Sequence, residues 1–146
     1  MKEIVIKFVL FIYCLLSGCF GFWDSGSDRI TGRYIVLWID LIENRGISKE
    51  TDINSSSSIQ IVPEYVFAVG HNDEYIIAKQ HPGGSKFGGR GIDKGITNYY
   101  IVKTSKEFSN DVDKINGPLN KKQFDSLRNY LKIETIQFDQ LYPEDP

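Results

Sequence analysis

Thiols are almost missing from this chain. Cys14 and Cys19 are the only cysteines in 146 residues, and both lie at the N-terminus. The body beyond residue 19 therefore has neither a disulfide framework nor a thiolate metal centre. Histidine is equally scarce, with His71 and His81 alone. No excess of basic charge exists either: 17 Lys and Arg stand against 19 Asp and Glu, a net charge of −2. A mildly acidic body has no broad electrostatic pull on nucleic acid, so nucleic-acid partners are excluded. Long apolar runs are absent too. The longest, Phe8 to Leu16, has nine residues, far short of the ~20 that a membrane-crossing helix needs. What remains is a chain of one-domain length with globular proportions, 41% hydrophobic and 25% charged. Its aromatics lie mostly in short runs beside Ile and Val, a mixture that favours strands.

The first nineteen residues read MKEIVIKFVLFIYCLLSGC. Lys2 and Lys7 make a basic start, the nine-residue apolar run fits a signal-peptide core, and Leu16-Ser17-Gly18-Cys19 follows at once. This tetrapeptide resembles the lipobox of bacterial lipoproteins: a branched apolar residue, two small residues and a cysteine. The resemblance implies cleavage between Gly18 and Cys19 and attachment of diacylglycerol, and of palmitate-like chains, to Cys19. Cys14 would leave with the signal, and the net charge of −2 would become −3 on loss of Lys2, Lys7 and Glu3. Each buried methylene contributes about 0.8 kcal/mol, so two or three chains on one residue anchor it permanently. The expected organisation is a cleaved signal over 1–18, a lipidated cysteine and flexible Gly/Ser tether over 19–32, and a single domain over 33–146. Phe20, Phe22 and Trp23 interrupt the tether with rings of the kind enriched at membrane interfaces. Residue 20 is not Asp, so inner-membrane retention is not signalled; the expected location is the cell membrane or outer membrane, on the extracytoplasmic side.

Within the body, Arg33 to Asp40 (RYIVLWID) is apolar on both faces, as in a central strand. Asn44-Arg45-Gly46 reads as a turn into a second strand, and TDINSSSS over 51–58 as a polar loop. Ile59 to Gly70 reads as a strand broken at Pro63. Tyr75 to His81 returns through the turn-forming Gly70-His71-Asn72-Asp73-Glu74 as an antiparallel hairpin. Thr97 to Thr104 is a further strand, and Ser105 to Asp113 has room for a helical turn. Gly117-Pro118 reads as a break before a helix over Asn120–Leu131, with Leu119, Phe124, Leu127 and Leu131 near helical spacing and Asn120/Gln123 as a capping box. Ile133 to Tyr142 fits either a strand or an ordered tail. Strands first and a helix late, with no βαβ alternation or repeat, predict an α+β fold: an antiparallel sheet of four to six strands with one helix on a face.

Signals for chemistry are weak. The connection Pro82 to Gly95 is rich in glycine and carries Lys86, Phe87, Arg90 and Lys94, which makes it the candidate contact loop. Its glycines miss the dinucleotide spacing and no phosphate-loop lysine follows them. His71 and His81 fall at opposite ends of a strand and are expected not to converge on a metal. No Gly-x-Ser-x-Gly turn and no EF-hand loop occurs. No cofactor, metal or catalytic residue is therefore expected.

The runs YVFAVGHNDEYIIAKQHP (Tyr65 to Pro82), GITNYYIVKT (Gly95 to Thr104) and GPLNKKQFDSLRNYLKI (Gly117 to Ile133), with the lipobox and the Trp38-Ile39-Asp40 strand, resemble a family of small uncharacterised bacterial lipoproteins carrying a domain of unknown function. The resemblance implies an envelope location and one small domain, and supplies no catalytic residues. The leading expectation is a non-enzymatic envelope lipoprotein that binds a partner protein or ligand. The alternatives are an inhibitor or immunity-type lipoprotein acting through loop 82–95 on a toxin or wall hydrolase, and a hydrolase or metal-dependent enzyme using His71 or His81.

Overall fold

In a computed structural model, residues 25–51, 57–84, 91–105 and 114–143 are described. Gly26–Thr31 (β1), Tyr34–Trp38 (β2), Gly46–Glu50 (β3) and Ser58–Val62 (β4) form one antiparallel sheet in the order β1-β2-β3-β4. Val66–His71 (β5), Tyr75–Gln80 (β6), Asn98–Lys103 (β9), Lys114–Leu119 (β10) and Gln140–Leu141 (β11) form a second, in the order β10-β9-β6-β5-β11. Gly83–Gly84 (β7) and Gly91–Ile92 (β8) make a small ribbon, and Lys121–Leu131 is the helix (α1). The α+β class and the late helix are as the sequence indicates, with the strands divided between sheets of four and five.

Period-two alternation explains the three layers. On β6, Ile76 and Ala78 face the four-stranded sheet, while Tyr75 and Ile77 face the helix. On β9, Tyr100 and Val102 face inward between the sheets, and Tyr99 and Ile101 face the helix. The inter-sheet core joins these residues to Ile30, Tyr34, Val36, Ile47, Val62, Val66 and Val69. The outer core joins Ile77 and Ile101 to Phe124, Ile133 and Ile136. A sheet buried on both faces must be apolar at successive positions, and Ile76-Ile77-Ala78 and Tyr100-Ile101-Val102 are all buried.

Pro63 marks the crossing between sheets: β4 ends at Val62 on the edge of one and β5 begins at Val66 in the other. The crossing is held by Gln80 Nε2, which donates to Glu64 O at 2.8 Å, and by the His81 N–H, which donates to Tyr65 O at 3.1 Å. The β5–β6 turn is an Asx turn, with Asn72 Oδ1 accepting from the N–H groups of Glu74 and Tyr75 at 2.9 and 2.8 Å.

Two elements differ from expectation. Residues 26–31 of the expected tether are strand β1, paired from Gly26–Trp38 to Thr31–Tyr34. Ser-Gly-Ser-Asp has little strand propensity, but an edge strand gains its order from backbone pairing with an apolar neighbour. The Trp38 ring occupies the space where a side chain at Gly26 would project. Similarly, Gly117-Pro118 lies inside β10 instead of ending a segment. The strand is an edge, where a proline without N–H is tolerated, and the Tyr100 ring fills the place of a Gly117 side chain.

The helix begins as its sequence specifies. Asn120 Oδ1 accepts from the Gln123 N–H at 2.9 Å, and Gln123 Oε1 accepts from the Asn120 N–H at 3.0 Å. It ends at Lys132 in the left-handed conformation, φ 58°. Arg128 Nη2 donates to Glu134 O and Ile136 O, each at 2.6 Å, which fastens the following segment to the helix. Asn120→Ala leaves the Gln123 N–H uncapped and is expected to cost about 1 kcal/mol in urea unfolding.

Candidate binding cleft

The β1–β2 hairpin sets a polarity for the whole domain. Its turn, Gly32-Arg33, points to one end, and the start of β1 with the end of β2 points to the other. The β5–β6 turn and the end of β9 lie beside Gly32-Arg33, and the three together line a cleft of about 400 Å³. Thr31, Gly32, Arg33 and Tyr34 form one wall; Asp73, Thr104 and Ser105 form the other. The volume falls within the range of small-ligand sites, roughly 300–1,000 Å³.

The walls are fixed by hydrogen bonds between distant segments. The buried Tyr34 hydroxyl accepts from the Ser105 N–H at 2.9 Å. Thr104 donates through Oγ1 to Asp73 O at 3.0 Å and through its N–H to Glu74 O at 2.7 Å. Arg33 Nη1 donates to Glu50 O at 3.2 Å, which ties its guanidinium to the end of β3. Gly32 turns at φ 53°, where glycine is favoured, and a Cβ there would meet open space. The lining thus offers one cation, one carboxylate and several hydroxyls, a set suited to a small polar or zwitterionic ligand. Among the described residues its lining has no histidine or cysteine.

The opposite end is closed by a buried arginine. Arg45 is 2% exposed. Its Nε donates to Val66 O at 3.3 Å, its Nη2 to Pro143 O at 2.5 Å, and its Cζ lies 4.9 Å from the Tyr142 ring centre. The Tyr142 hydroxyl in turn bonds the Asp28 carboxylate on β1. Gln140 Nε2 donates to Arg29 O at 3.0 Å. The C-terminal segment thereby latches the edge of one sheet to the edge of the other. A cavity of about 10 Å³ lies beside Arg45, lined also by Glu43, Tyr65, Phe67, His81, Ile92 and Lys94. It is water-sized, too small for an organic ligand.

Burial, with the Asp28 carboxylate opposite it, pushes the Tyr142 hydroxyl well above its ordinary value. Burial also raises Tyr100. A group whose folded pKa is raised keeps its full contribution to stability below the unfolded value and loses it as pH rises above that value. Stability is therefore expected to fall above about pH 10, each tyrosine adding up to about 1.4 kcal/mol per pH unit. Tyr142→Phe should remove one proton's share of that slope in urea titrations at pH 9 to 11.

The histidines do not converge. His71 pairs with Ile76 at the turn end of the hairpin, and His81 follows Gln80 at the other, about 17 Å away at strand rise. His81 is buried, at 5% exposed. Its ring stacks on Phe67 with centroids 4.3 Å apart, and Nδ1 lies 2.7 Å from Ile96 O. A carbonyl only accepts, so Nδ1 carries the proton in that contact. Among the described residues no group of His, Cys, Asp and Glu could hold a metal ion.

Of the other residues singled out in sequence, Lys94 is exposed just beyond β8, at the Arg45 end. Lys86, Phe87 and Arg90 lie outside the described residues, as do Gly18, Cys19 and most of the segment 105–113. The cleft residues Arg33, Asp73 and Thr104 were not singled out. They are ordinary turn and strand-end residues, and only the meeting of three chain segments gives them a common surface.

A family model described as "Protein of unknown function (DUF3997)" matches residues 31–142. The chain belongs to that family. The match spans every residue of the cleft and the Arg45–Tyr142 pair, and it begins at the last residue of β1. No curated protein and no solved structure matches the chain. No described helix is long and apolar enough to cross a membrane.

Proposed function

We propose that this DUF3997 protein is a lipid-anchored envelope lipoprotein, held at a membrane surface through Cys19, whose domain is a non-enzymatic binding module. The cleft over Thr31–Tyr34, Asp73 and Thr104–Ser105 is its ligand site. The observation that carries the reading is the placement of that cleft. β1 starts seven residues beyond the lipobox cysteine, and the cleft lies at the other end of β1 from that start, which supports a site turned away from the anchor. The charge and hydroxyl content of the lining favours a small zwitterionic or hydroxyl-bearing ligand.

Cys19→Ser tests the anchor. Palmitate labelling in cells should be lost and the protein should move from the membrane fraction to the soluble one; retained labelling and sedimentation would reject the lipoprotein reading. Asp73→Asn tests the cleft. In heteronuclear NMR against amino acids, amino sugars and short wall peptides, shifts should centre on residues 31–34 and 104–105 and weaken in the variant. Shifts elsewhere would move the site.

A further inference from the structure

Ser25 is the first described residue, and it is pinned: its Oγ accepts from the Asp40 N–H at 3.2 Å. Five residues lie between it and Cys19, a span of about 20 Å when fully extended. On the lipoprotein reading, on which this inference rests, the β2–β3 connection must therefore stand within about 20 Å of the bilayer.

That connection is apolar where it is exposed. Ile39 and Leu41 are 59% and 51% exposed. They flank Asp40, which adopts φ 69°, and the Leu41 N–H donates to Ile39 O at 2.9 Å, so the two residues sit on one tight turn. Ile96, 50% exposed, belongs to the same end of the domain. It precedes β9, whose first residue Asn98 pairs with Gln80, the last residue of β6. Three of the seven large exposed hydrophobics among the described residues thus gather at the anchor end. Asp40, Glu43, Asp93 and Lys94 give that end charges of both signs, so its affinity for a membrane is apolar in origin and not an attraction to anionic headgroups.

We propose that Ile39, Leu41 and Ile96 form a second, non-covalent contact with the lipid surface, entering the interfacial layer beside the Cys19 anchor. One lipidated residue on a short tether leaves a domain free to tilt. Three apolar side chains at the end where the tether joins the domain fix its axis and keep the cleft outward.

The mature chain has no other thiol, which permits a direct test. The full lipidated protein carrying Ile39→Cys, Leu41→Cys, Ile96→Cys or, at the cleft end, Glu74→Cys is labelled with an environment-sensitive fluorophore. It is then reconstituted in phosphatidylcholine vesicles with or without a chain-borne spin quencher. Positions 39, 41 and 96 should show blue-shifted emission and several-fold more quenching than position 74. Emission from all four positions as in water, on protein whose mass confirms lipid at Cys19, overturns this inference and leaves the anchor standing. A blue shift without lipid quenching also overturns it, because the end is then covered by protein. A mass without lipid at Cys19 overturns the anchor reading and this contact with it.

Discussion

Arg45→Ala should lower the free energy of unfolding by about 3 kcal/mol, the largest loss expected of a single side chain outside the apolar core. Arg45 donates to Val66 O on β5 and to Pro143 O beyond β11, and lies against Tyr142, so one side chain holds the start of β3 to the second sheet and to the C-terminal segment. Each charged hydrogen bond of this kind is worth about 1.5–3 kcal/mol, and losing the one to Val66 O strands a carbonyl on a fully buried residue. Against this stands the desolvation of the guanidinium, visible as a lowered pKa. Where a buried ion pair is replaced as a unit, relief of that desolvation can offset the loss. It cannot here, because both acceptors are backbone and stay behind. Arg45→Met should separate the two effects. It fills the volume and relieves the desolvation, so its loss should be smaller, about 1–2 kcal/mol, and should report the stranded Val66 carbonyl. Urea unfolding of the three proteins decides the matter; an alanine variant within about 0.5 kcal/mol of the parent would show that the latch contributes nothing.

Gly70→Ala should cost about as much for a different reason. A methyl at this position would lie 1.9 Å from Gln137 O and 2.7 Å from its carbonyl carbon. Both are backbone atoms, so no rotamer change relieves the overlap, and the segment 137–142 must lift from β5. The pairings Gln140–Val69 and Leu141–Ala68, and the bond from the Asp139 N–H to Val69 O, lie directly downstream. Overpacking costs about 1–3 kcal/mol, and loss of this segment takes the Tyr142–Asp28 and Gln140–Arg29 contacts with it, so the upper end of that range is expected. The lower entropy of an unfolded chain with Ala in place of Gly returns less than about 1 kcal/mol. Amide exchange should localise the effect, with residues 139–142 and β1 losing protection while β6 and β9 keep theirs. Uniform loss across the domain would contradict the latch.

These two residues mark where sequence reading stops. Gly70 reads as the first residue of a turn, yet it lies within β5, and what requires glycine there is a chain segment 67 positions further on. Arg45 sits in an Asn-Arg-Gly stretch that reads as an exposed turn, because arginine is rarely fully buried and nothing local announces that it will be. Period-two and turn chemistry, by contrast, are local. Phe67 to Lys79 declares its hairpin because short apolar runs flank Asn72-Asp73, and the Asx turn forms from the asparagine side chain itself. Asn120 and Gln123 declare the helix start because the capping box closes within four residues.

The sequence alone determined the α+β class, the β5–β6 hairpin, the break at Pro63, the helix boundaries and the exclusion of cysteine chemistry from the body beyond residue 19. Each follows from interactions a few residues long or from composition. Only tertiary structure decided that the strands divide into two sheets, that β1 begins inside the supposed tether, that His81 is buried, and that Thr31–Tyr34, Asp73 and Thr104–Ser105 share a cleft. The physical reason is the same in each case. Edge pairing, burial of a polar ring and the meeting of three turns are contacts between segments tens of residues apart, and their free energy appears only once the two sheets have closed on a common core.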